Sequence, residues 1–285
     1  MTIAGSLNSS IRRGLAALLI AAFAFACADS TDTTNPKPTL PTAAVSGAST
    51  RAPSAPVEQL RVEVISRRPH DRGSFTEGLE IAGGRLYESS GLRGESTLRE
   101  VDARTGAVTR KIDIDNQYFG EGIAVVDDRI IQLTWQEHTA FVYRLTDFSK
   151  LTTFSYDTEG WGLCDDGSRL VMSDGTSQLY FRDRSTFAVT GKVNVTENGT
   201  PIDQLNELEC VDGQVYANVW QTDTIVRIDP ASGKVTAVIN AAGLLGADAG
   251  AVDVLNGIAY DPTTKTFLIT GKLWPTLFEV RFVAR

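Results

Sequence analysis

Five related motifs recur along the chain, and their spacing constrains the fold more than any other feature of the sequence. They begin at Glu77, Glu121, Trp161, Asn206 and Asn256, so consecutive copies lie 44, 40, 45 and 50 residues apart. That period is typical of a β-propeller blade rather than of a helical repeat. The five copies therefore predict an all-β fold, a five-bladed β-propeller.

Each copy is followed by the signals of a four-stranded unit. A tight polar turn such as Gly83-Gly84-Arg85 comes first, and then two runs rich in β-branched and aromatic residues, such as 129–135 and 141–145. Turns of this kind join hairpins, and such residues favour strands. A fourth short segment, such as 233–236, completes the unit.

The last unit predicts how the ring closes. Its third strand, 276–283, is followed by no candidate for an outer strand, whereas the strand-like run 60–66 precedes the first motif and has no unit of its own. We therefore expect 60–66 to pair beside 276–283. Such a pairing would cover an exposed sheet edge.

Residues 1–27 predict an export signal. Arg12 and Arg13 precede an apolar run, 14–26, that is too short to span a membrane as a helix. Cys27 then follows three small or apolar residues, in a pattern similar to a bacterial lipoprotein box. We expect acylation of Cys27, with ordinary signal cleavage nearby as the alternative.

The next segment, 28–57, is dominated by Ser, Thr, Pro and Ala and predicts a disordered tether. Residues 58–285 would then form the propeller domain. In this interpretation the protein is exported to the periplasm, and its only contact with a membrane is a lipid anchor in the outer membrane.

Charge and cysteine content exclude several kinds of partner and site. Without residues 1–27 the chain has 25 basic and 35 acidic residues, which argues against nucleic acid as a partner. Cys164 and Cys210 occupy different registers in adjacent repeats, so we expect buried free thiols rather than a disulfide. The two histidines, His70 and His138, do not have the spacing of a zinc site.

The hairpin of each unit should bring the start of its first strand and the end of its second strand to one rim. The starts are the five motif residues, and the ends, 13 to 16 residues later, are Ser90, Trp135, Asp174, Trp220 and Lys272. Because first strands line the channel of a propeller, we expect all ten positions around one mouth. A single Trp there is more often packing than a ligand wall, but the positions differ between units, which favours a binding site.

These segments closely resemble the plant-type and bacterial glutaminyl cyclases. The resemblance covers 60–283 and all five repeats, in segments such as Phe75-Thr76-Glu77-Gly78-Leu79, Tyr118-Phe119-Gly120-Glu121-Gly122, Leu205-Asn206-Glu207-Leu208-Glu209 and Thr270-Gly271-Lys272-Leu273-Trp274-Pro275. It implies a five-bladed propeller enzyme, unrelated to the zinc-dependent animal enzymes. The implied reaction converts the N-terminal glutamine of peptides or proteins to pyroglutamate and releases ammonia.

The resemblance also implies roles for individual side chains. Glu121 matches the catalytic glutamate that carries a proton, and its apolar surroundings should raise its pKa. Asn206 and Lys272 match residues that bind the amide and stabilise charge in the tetrahedral intermediate. The aromatic wall against which the substrate packs corresponds to Phe75, Phe119, Trp135, Trp161 and Trp220.

Glu77 departs from the plant pattern, which has glutamine at this position, whereas bacterial members often have glutamate. This second carboxylate could bind the ammonium group of the substrate or share a proton with Glu121, and the sequence leaves both open.

The chemistry needs no cofactor. Plant members hold a calcium ion in the channel, largely through backbone atoms, so a structural calcium ion is an expectation here. A closed ring needs no partner for stability, so we expect a monomer.

Two functions of other classes compete with the cyclase. One is a calcium-dependent lactonase-type hydrolase, in which Glu77, Asn206 and Asn256 would surround the metal. The other is a non-catalytic periplasmic binding propeller.

Overall fold

The computed structural model describes residues 55–246 and 250–285, and every regular element in these ranges is a β-strand. The predictions for the export signal 1–27, for Cys27 and for the tether up to residue 54 lie outside the described residues. Within the described ranges, no helix has the length and apolar character needed to cross a membrane. The prediction of an all-β fold is confirmed.

Three sheets are four-stranded antiparallel meanders whose strands follow chain order. The first consists of β2 (Thr76–Ala82), β3 (Arg85–Ser90), β4 (Thr97–Val101) and β5 (Val108–Asp113). The second consists of β6 (Gly120–Val126), β7 (Arg129–Thr134), β8 (Thr139–Arg144) and β9 (Lys150–Ser155). The third consists of β10 (Leu163–Asp165), β11 (Leu170–Ser173), β12 (Gln178–Arg182) and β13 (Val189–Asn194).

A ten-stranded sheet contains two further runs of four antiparallel strands. One run is β16 (Leu205–Val211), β17 (Gln214–Val219), β18 (Thr224–Asp229) and β19 (Lys234–Asn240). The other is β20 (Leu255–Asp261), β21 (Thr266–Gly271), β22 (Thr276–Ala284) and β1 (Glu58–Pro69). A short hairpin of β14 (Thr196–Glu197) and β15 (Thr200–Pro201) pairs with β19.

Strand β1 completes the last run, as the sequence predicts. It pairs antiparallel with β22, from Leu60 opposite Ala284 to Pro69 opposite Thr276. Its first residues also pair in parallel with β19, beginning with Glu58 opposite Ala237, and the sequence did not predict this pairing. Because both edges of β1 are paired there, this part of the strand presents no open edge.

The first strands of the five runs contact one another in cyclic order: β2, β6, β10, β16 and β20, with β20 also contacting β2. Glycine allows this close approach. A side-chain carbon at Gly78 would lie 2.7 Å from the backbone nitrogen of Ile123, and one at Gly122 would lie 2.5 Å from the carbonyl oxygen of Trp161. Since both obstacles are backbone atoms, no larger residue fits at either glycine.

The hydrophobic core lies between the faces of consecutive sheets. Between the second and third sheets, Ile131 and Leu133 of β7 pack with Leu170 and Met172 of β11, and all four are fully buried. Burying one such side chain contributes roughly 1.5–3 kcal/mol. The outer strands β5, β9 and β13 are mostly exposed, so each sheet changes from apolar at its inner strands to polar at its outer strand.

Cys164 and Cys210 form a disulfide, so the prediction of free thiols is wrong. Cys164 lies in β10 and Cys210 in β16, and their Cα atoms are 5.5 Å apart. The prediction assumed that side chains on opposite faces of their strands cannot meet. The two strands, however, belong to neighbouring sheets that stack face to face. One sheet presents its front face to the interface and the other its back face. Side chains on opposite faces of their own strands can therefore meet between the sheets.

Candidate active site

A cavity of about 250 Å³ lies where the first strands begin and the second strands end. All five runs contribute to its lining, which consists of Phe75, Glu77, Phe119, Glu121, Trp135, Trp161, Asn206, Trp220, Asp253 and Lys272. The structure thus brings together all nine side chains for which the sequence implied a role in catalysis or substrate binding.

Three of the ten predicted mouth positions do not line the cavity. Ser90 Oγ accepts the backbone N–H of Phe75 at 2.9 Å, at the hairpin end of the first sheet. The carboxylate of Asp174 accepts the backbone N–H of Thr176 at 3.1 Å and so caps its own turn. Asn256 is fully buried and donates to Glu77, which lines the cavity. The side chains of these three residues therefore bond to neighbouring groups rather than line the cavity.

Irregular pairing places the motif residues. In β2 the register shifts between Thr76 and Gly78, so Glu77 has no partner in β3. In β6 it shifts between Gly120 and Ile123, at Glu121. Similar shifts occur at Asn206 in β16 and at Asn256 in β20. An extra residue in one strand bends that strand and redirects the side chain, and a pattern of strict alternation does not predict it.

Glu77 is held by two donors. Lys272 Nζ donates to its Oε1 at 2.7 Å, and Asn256 Nδ2 donates to its Oε2 at 3.1 Å. Burial raises the pKa of Glu77 to about 7, although the charge and hydrogen bond of Lys272 oppose this. The donors on its two oxygens favour the carboxylate form and so limit the rise that burial causes.

Glu121 differs from Glu77 in its contacts. It is 5% exposed, and its Oε2 is buried without a hydrogen-bond partner in the part of the chain that the structure describes. Burial raises the pKa of Glu121 well above its usual range; the charge of Glu77 raises it further, while Lys272 opposes the rise. A carboxyl group with a raised pKa can accept a proton and return it near neutral pH.

Aromatic rings form the wall opposite these polar groups. Phe119 packs edge-on against both Phe75 and Trp135, with centroids 6.2 and 5.7 Å apart, and Trp161 packs edge-on against Trp220 at 5.5 Å. Lys272 Nζ lies 4.7 Å from the Phe75 centroid, within range of a cation–π interaction. The cavity therefore combines an apolar wall with a polar side.

The polar side includes a second unpartnered acceptor. Asn206 is 3% exposed, and its Oδ1 makes no hydrogen bond within the described ranges. The next residue, Glu207, accepts the backbone N–H groups of Leu79 at 3.1 Å and Ile258 at 2.7 Å. Glu207 thereby ties β16 to β2 and β20, the strands that carry Glu77 and Asn256.

Sequence reasoning missed two residues at the site. Asp253 lines the cavity from the loop before β20, where its backbone N–H donates to the carbonyl of Lys272 at 3.0 Å. No repeat pattern extends into that loop, so the sequence has no signal for it. Glu159 contacts two of the indoles, and its place two residues before Trp161 is a signal that could have found it.

The contacts of Glu77 do not favour the metal cage of a hydrolase. Lys272 and Asn256 occupy the two oxygens of Glu77, and an ammonium group beside that carboxylate competes with a cation. Over 55–246 and 250–285, no group of three or more His, Cys, Asp and Glu side chains is placed to hold a metal ion. A calcium ion bound in the channel through backbone oxygens stays a prediction.

Comparison with known proteins identifies the family. The glutamine cyclotransferase family profile matches residues 39–282. A glutaminyl-peptide cyclotransferase of Arabidopsis thaliana is 44% identical over 226 residues, which cover 77% of this chain and 71% of that protein. The crystal structure of Myxococcus xanthus glutaminyl cyclase covers 80% of this chain and 99% of its own, with 36% identity and a TM-score of 0.74. This chain belongs to the glutamine cyclotransferase family.

Proposed function

We propose that this protein is a glutaminyl-peptide cyclotransferase, which converts the N-terminal glutamine of peptides or proteins to pyroglutamate and releases ammonia. The cavity carries the proposal: the buried carboxyl group of Glu121, with an unpartnered oxygen, shares one small space with an apolar wall and a buried ion pair. The activity named for the Arabidopsis relative supports the same conclusion.

The reaction joins two ends of one residue. The α-amine nitrogen bonds to the side-chain amide carbon, and the bond from that carbon to the amide nitrogen breaks. The amine loses one proton and the leaving nitrogen gains one, so the products are a lactam and ammonia. Because both reacting groups belong to the same residue, folding the side chain back against the wall of rings supplies much of the rate.

The contacts divide the remaining work among the polar residues. Glu121 carries the proton, since Glu77 already has a donor on each oxygen. Glu77 holds the ammonium group of Lys272 in the cavity. Lys272 Nζ and the Nδ2–H group of Asn206 stabilise the negative charge that develops on the amide oxygen. In this scheme the enzyme is an acyltransferase, and no step requires zinc.

We further propose that the five runs of strands are the blades of a five-bladed propeller. The cyclic contacts among β2, β6, β10, β16 and β20 support this arrangement, as does the pairing of β1 with β22. A ring closed in this way would be stable as a monomer, and sedimentation equilibrium tests that state.

The sequence of residues 1–27 supports export to the periplasm, with Cys27 as a lipid anchor for the outer membrane. Incorporation of labelled palmitate into the wild-type protein, but not into Cys27→Ser, would establish the anchor. Equal labelling of both proteins, or labelling of neither, would reject it.

A coupled ammonia assay on a dipeptide that begins with glutamine tests the function. We expect ammonia to be released with EDTA present, and none from the same dipeptide with an acetylated N-terminus, which lacks the nucleophile. Hydrolysis of lactones that chelation abolishes would instead indicate the hydrolase. Binding of the dipeptide without turnover would indicate the binding propeller.

A further inference from the structure

A single carboxylate oxygen accepts hydrogen bonds from two indoles of the wall. Glu159 Oε2 lies 2.7 Å from Trp135 Nε1 and 3.0 Å from Trp161 Nε1. Trp135 follows β7 of the second sheet, and Trp161 precedes β10 of the third. Glu159 therefore links the parts of the wall that two neighbouring sheets contribute.

The carboxylate of Glu159 is itself fixed. Its other oxygen accepts Gln136 Nε2 at 2.9 Å. Burial alone would raise the pKa of Glu159, but the hydrogen bonds from Gln136, Trp161 and Trp135 outweigh burial and lower it. Glu159 is therefore an anion at neutral pH, and hydrogen bonds to an anion are stronger than those to a neutral acceptor.

The backbone beside Glu159 is equally constrained. The N–H of Gly160 donates to the carbonyl of Trp135 at 2.9 Å. A side-chain carbon at Gly160 would lie 2.6 Å from the carbonyl oxygen of Thr134 and would also collide with the hydroxyl of Tyr156. The loop that carries Glu159 thus has little freedom to move away from the indoles.

The two clamped indoles each support another ring of the wall. Trp135 packs edge-on against Phe119, and Trp161 packs edge-on against Trp220. All four rings line the cavity, whereas Glu159 does not. Glu159 can therefore position a ligand only through the rings, while its charge acts separately on Glu121.

We propose that Glu159 is a positioning residue that clamps Trp135 and Trp161, and so sets the affinity of the cavity for the glutamine side chain. This inference rests on the proposed function. An unclamped indole has to be ordered when the substrate binds, and that ordering weakens binding. The clamp thus acts on KM, while Glu121 acts on kcat.

Replacing Glu159 separates the clamp from the chemistry. In Glu159→Leu both N–H groups lose their acceptor, so we expect KM to rise roughly ten-fold, with kcat nearly unchanged at pH values above its acid limb. In Glu159→Gln the amide oxygen can still accept both indole N–H groups. The amide of Gln136 only has to rotate, so that its oxygen accepts from the new NH₂ group. KM should therefore be close to the wild-type value. Glu159→Ala repeats the truncation with less bulk, should the leucine variant fail to fold.

Glu279 provides a matched control. Its largely buried carboxylate accepts hydrogen bonds from Ser66, Arg68 and Thr266 and does not line the cavity. Its pKa is lowered because those bonds and the charge of Arg68 outweigh burial. Glu279→Leu should lower the melting temperature and leave KM as in the wild type. A rise in KM in this variant would mean that general destabilisation, not the clamp, affects binding.

Quenching of tryptophan fluorescence by acrylamide tests the clamp without any substrate. We expect a higher quenching constant in Glu159→Leu and Glu159→Ala than in the wild type, Glu159→Gln or Glu279→Leu. This measurement remains decisive for the clamp even if the wild-type protein releases no ammonia from glutaminyl peptides, a result that would count against the proposed function alone. Wild-type quenching and KM in both truncations, or a loss of kcat with unchanged KM, would overturn the inference.

Discussion

Lys272 and Glu77 form an ion pair within the cavity, with Nζ 2.7 Å from Oε1 and side chains that are 7% and 1% exposed. The pair joins the second strand of the last run to the first strand of the first run. Burying two charges is costly, so a buried pair of this kind is weak evidence for stability. It holds one cation in the same cavity as a second carboxyl group, that of Glu121.

Removing one partner of this pair should be far more harmful than removing both. In Glu77→Leu, Lys272 is left buried without a counter-ion, and we expect a loss of about 3–5 kcal/mol in the free energy of unfolding. Glu77→Leu combined with Lys272→Met replaces the pair with apolar groups and should restore most of that loss. Urea unfolding measures both variants. Equal stability of the single and double variants would show that the charges do not interact strongly.

The pH dependence of kcat should respond to charge near Glu121. Burial raises the pKa of Glu121; Glu77 raises it further, Lys272 opposes the rise, and Glu159 and Glu137 add to it. If Glu121 must begin as the carboxylate, kcat falls as pH drops through its pKa. Removing the charge of Glu159 in Glu159→Gln lowers that pKa, so the acid limb should move to lower pH. Kinetics across the acid range measure the shift, and a limb that stays fixed or moves upward would contradict the assignment.

A second buried pair should give stability a defined pH window. His70 Nε2 lies 2.9 Å from Glu88 Oε1, and Nδ1 lies 2.7 Å from the carbonyl oxygen of Trp274, so both ring nitrogens face acceptors. Burial would lower the pKa of His70, but Glu88 and the carbonyl raise it. Burial would raise the pKa of Glu88, but His70, Arg99 and a hydroxyl group lower it to about 2.

The directions of these two pKa shifts define the pH range in which the pair stabilises the fold. Glu88 contributes stability above its unfolded pKa of 4.5, and the contribution is lost as pH falls toward about 2. His70 contributes below its unfolded pKa of 6.5, and the contribution is lost as pH rises through the raised value. The difference in unfolding free energy between wild type and His70→Gln should therefore be largest between these two unfolded values and shrink on both sides. A difference that is independent of pH would contradict the charged pair.

The disulfide between Cys164 and Cys210 should stabilise the fold without serving catalysis. It closes a separation of 46 residues and links two sheets. Replacing both cysteines with alanine should cost about 2–4 kcal/mol in unfolding free energy. KM should be unchanged, since neither cysteine lines the cavity. Identical melting temperatures for the wild type and the double variant would show that the bond does not form in the protein.

Much of the site could be predicted because a hairpin repeat converts sequence spacing into position. Trp135 and Trp220 lie 14 residues after their motif residues. With that spacing the second strand of the hairpin ends at the rim where the first strand begins. The side chains of Ser90 and Asp174 do not line the cavity, because they bond to nearby backbone groups instead. Spacing fixes where a residue lies but not which way its side chain points.

Features that depend on contacts between sheets or on loops could not be predicted. The disulfide requires knowledge of how two sheets stack, and the parallel pairing of Glu58 with Ala237 requires the position of a distant strand edge. Asp253 lies in a connection that has no repeat pattern. The orientation of Glu77 does not follow from the regular alternation of side chains along a strand, because an extra residue in β2 redirects its side chain.

The central claim is that Glu121 carries the proton in cyclisation of an N-terminal glutamine, and the kcat of Glu121→Gln for ammonia release from a glutaminyl dipeptide tests it most directly. The substitution keeps the shape of the side chain and removes its ability to accept a proton. We predict a kcat roughly 10²–10⁴-fold below that of the wild type, with KM and melting temperature little changed. A kcat equal to that of the wild type would contradict the account.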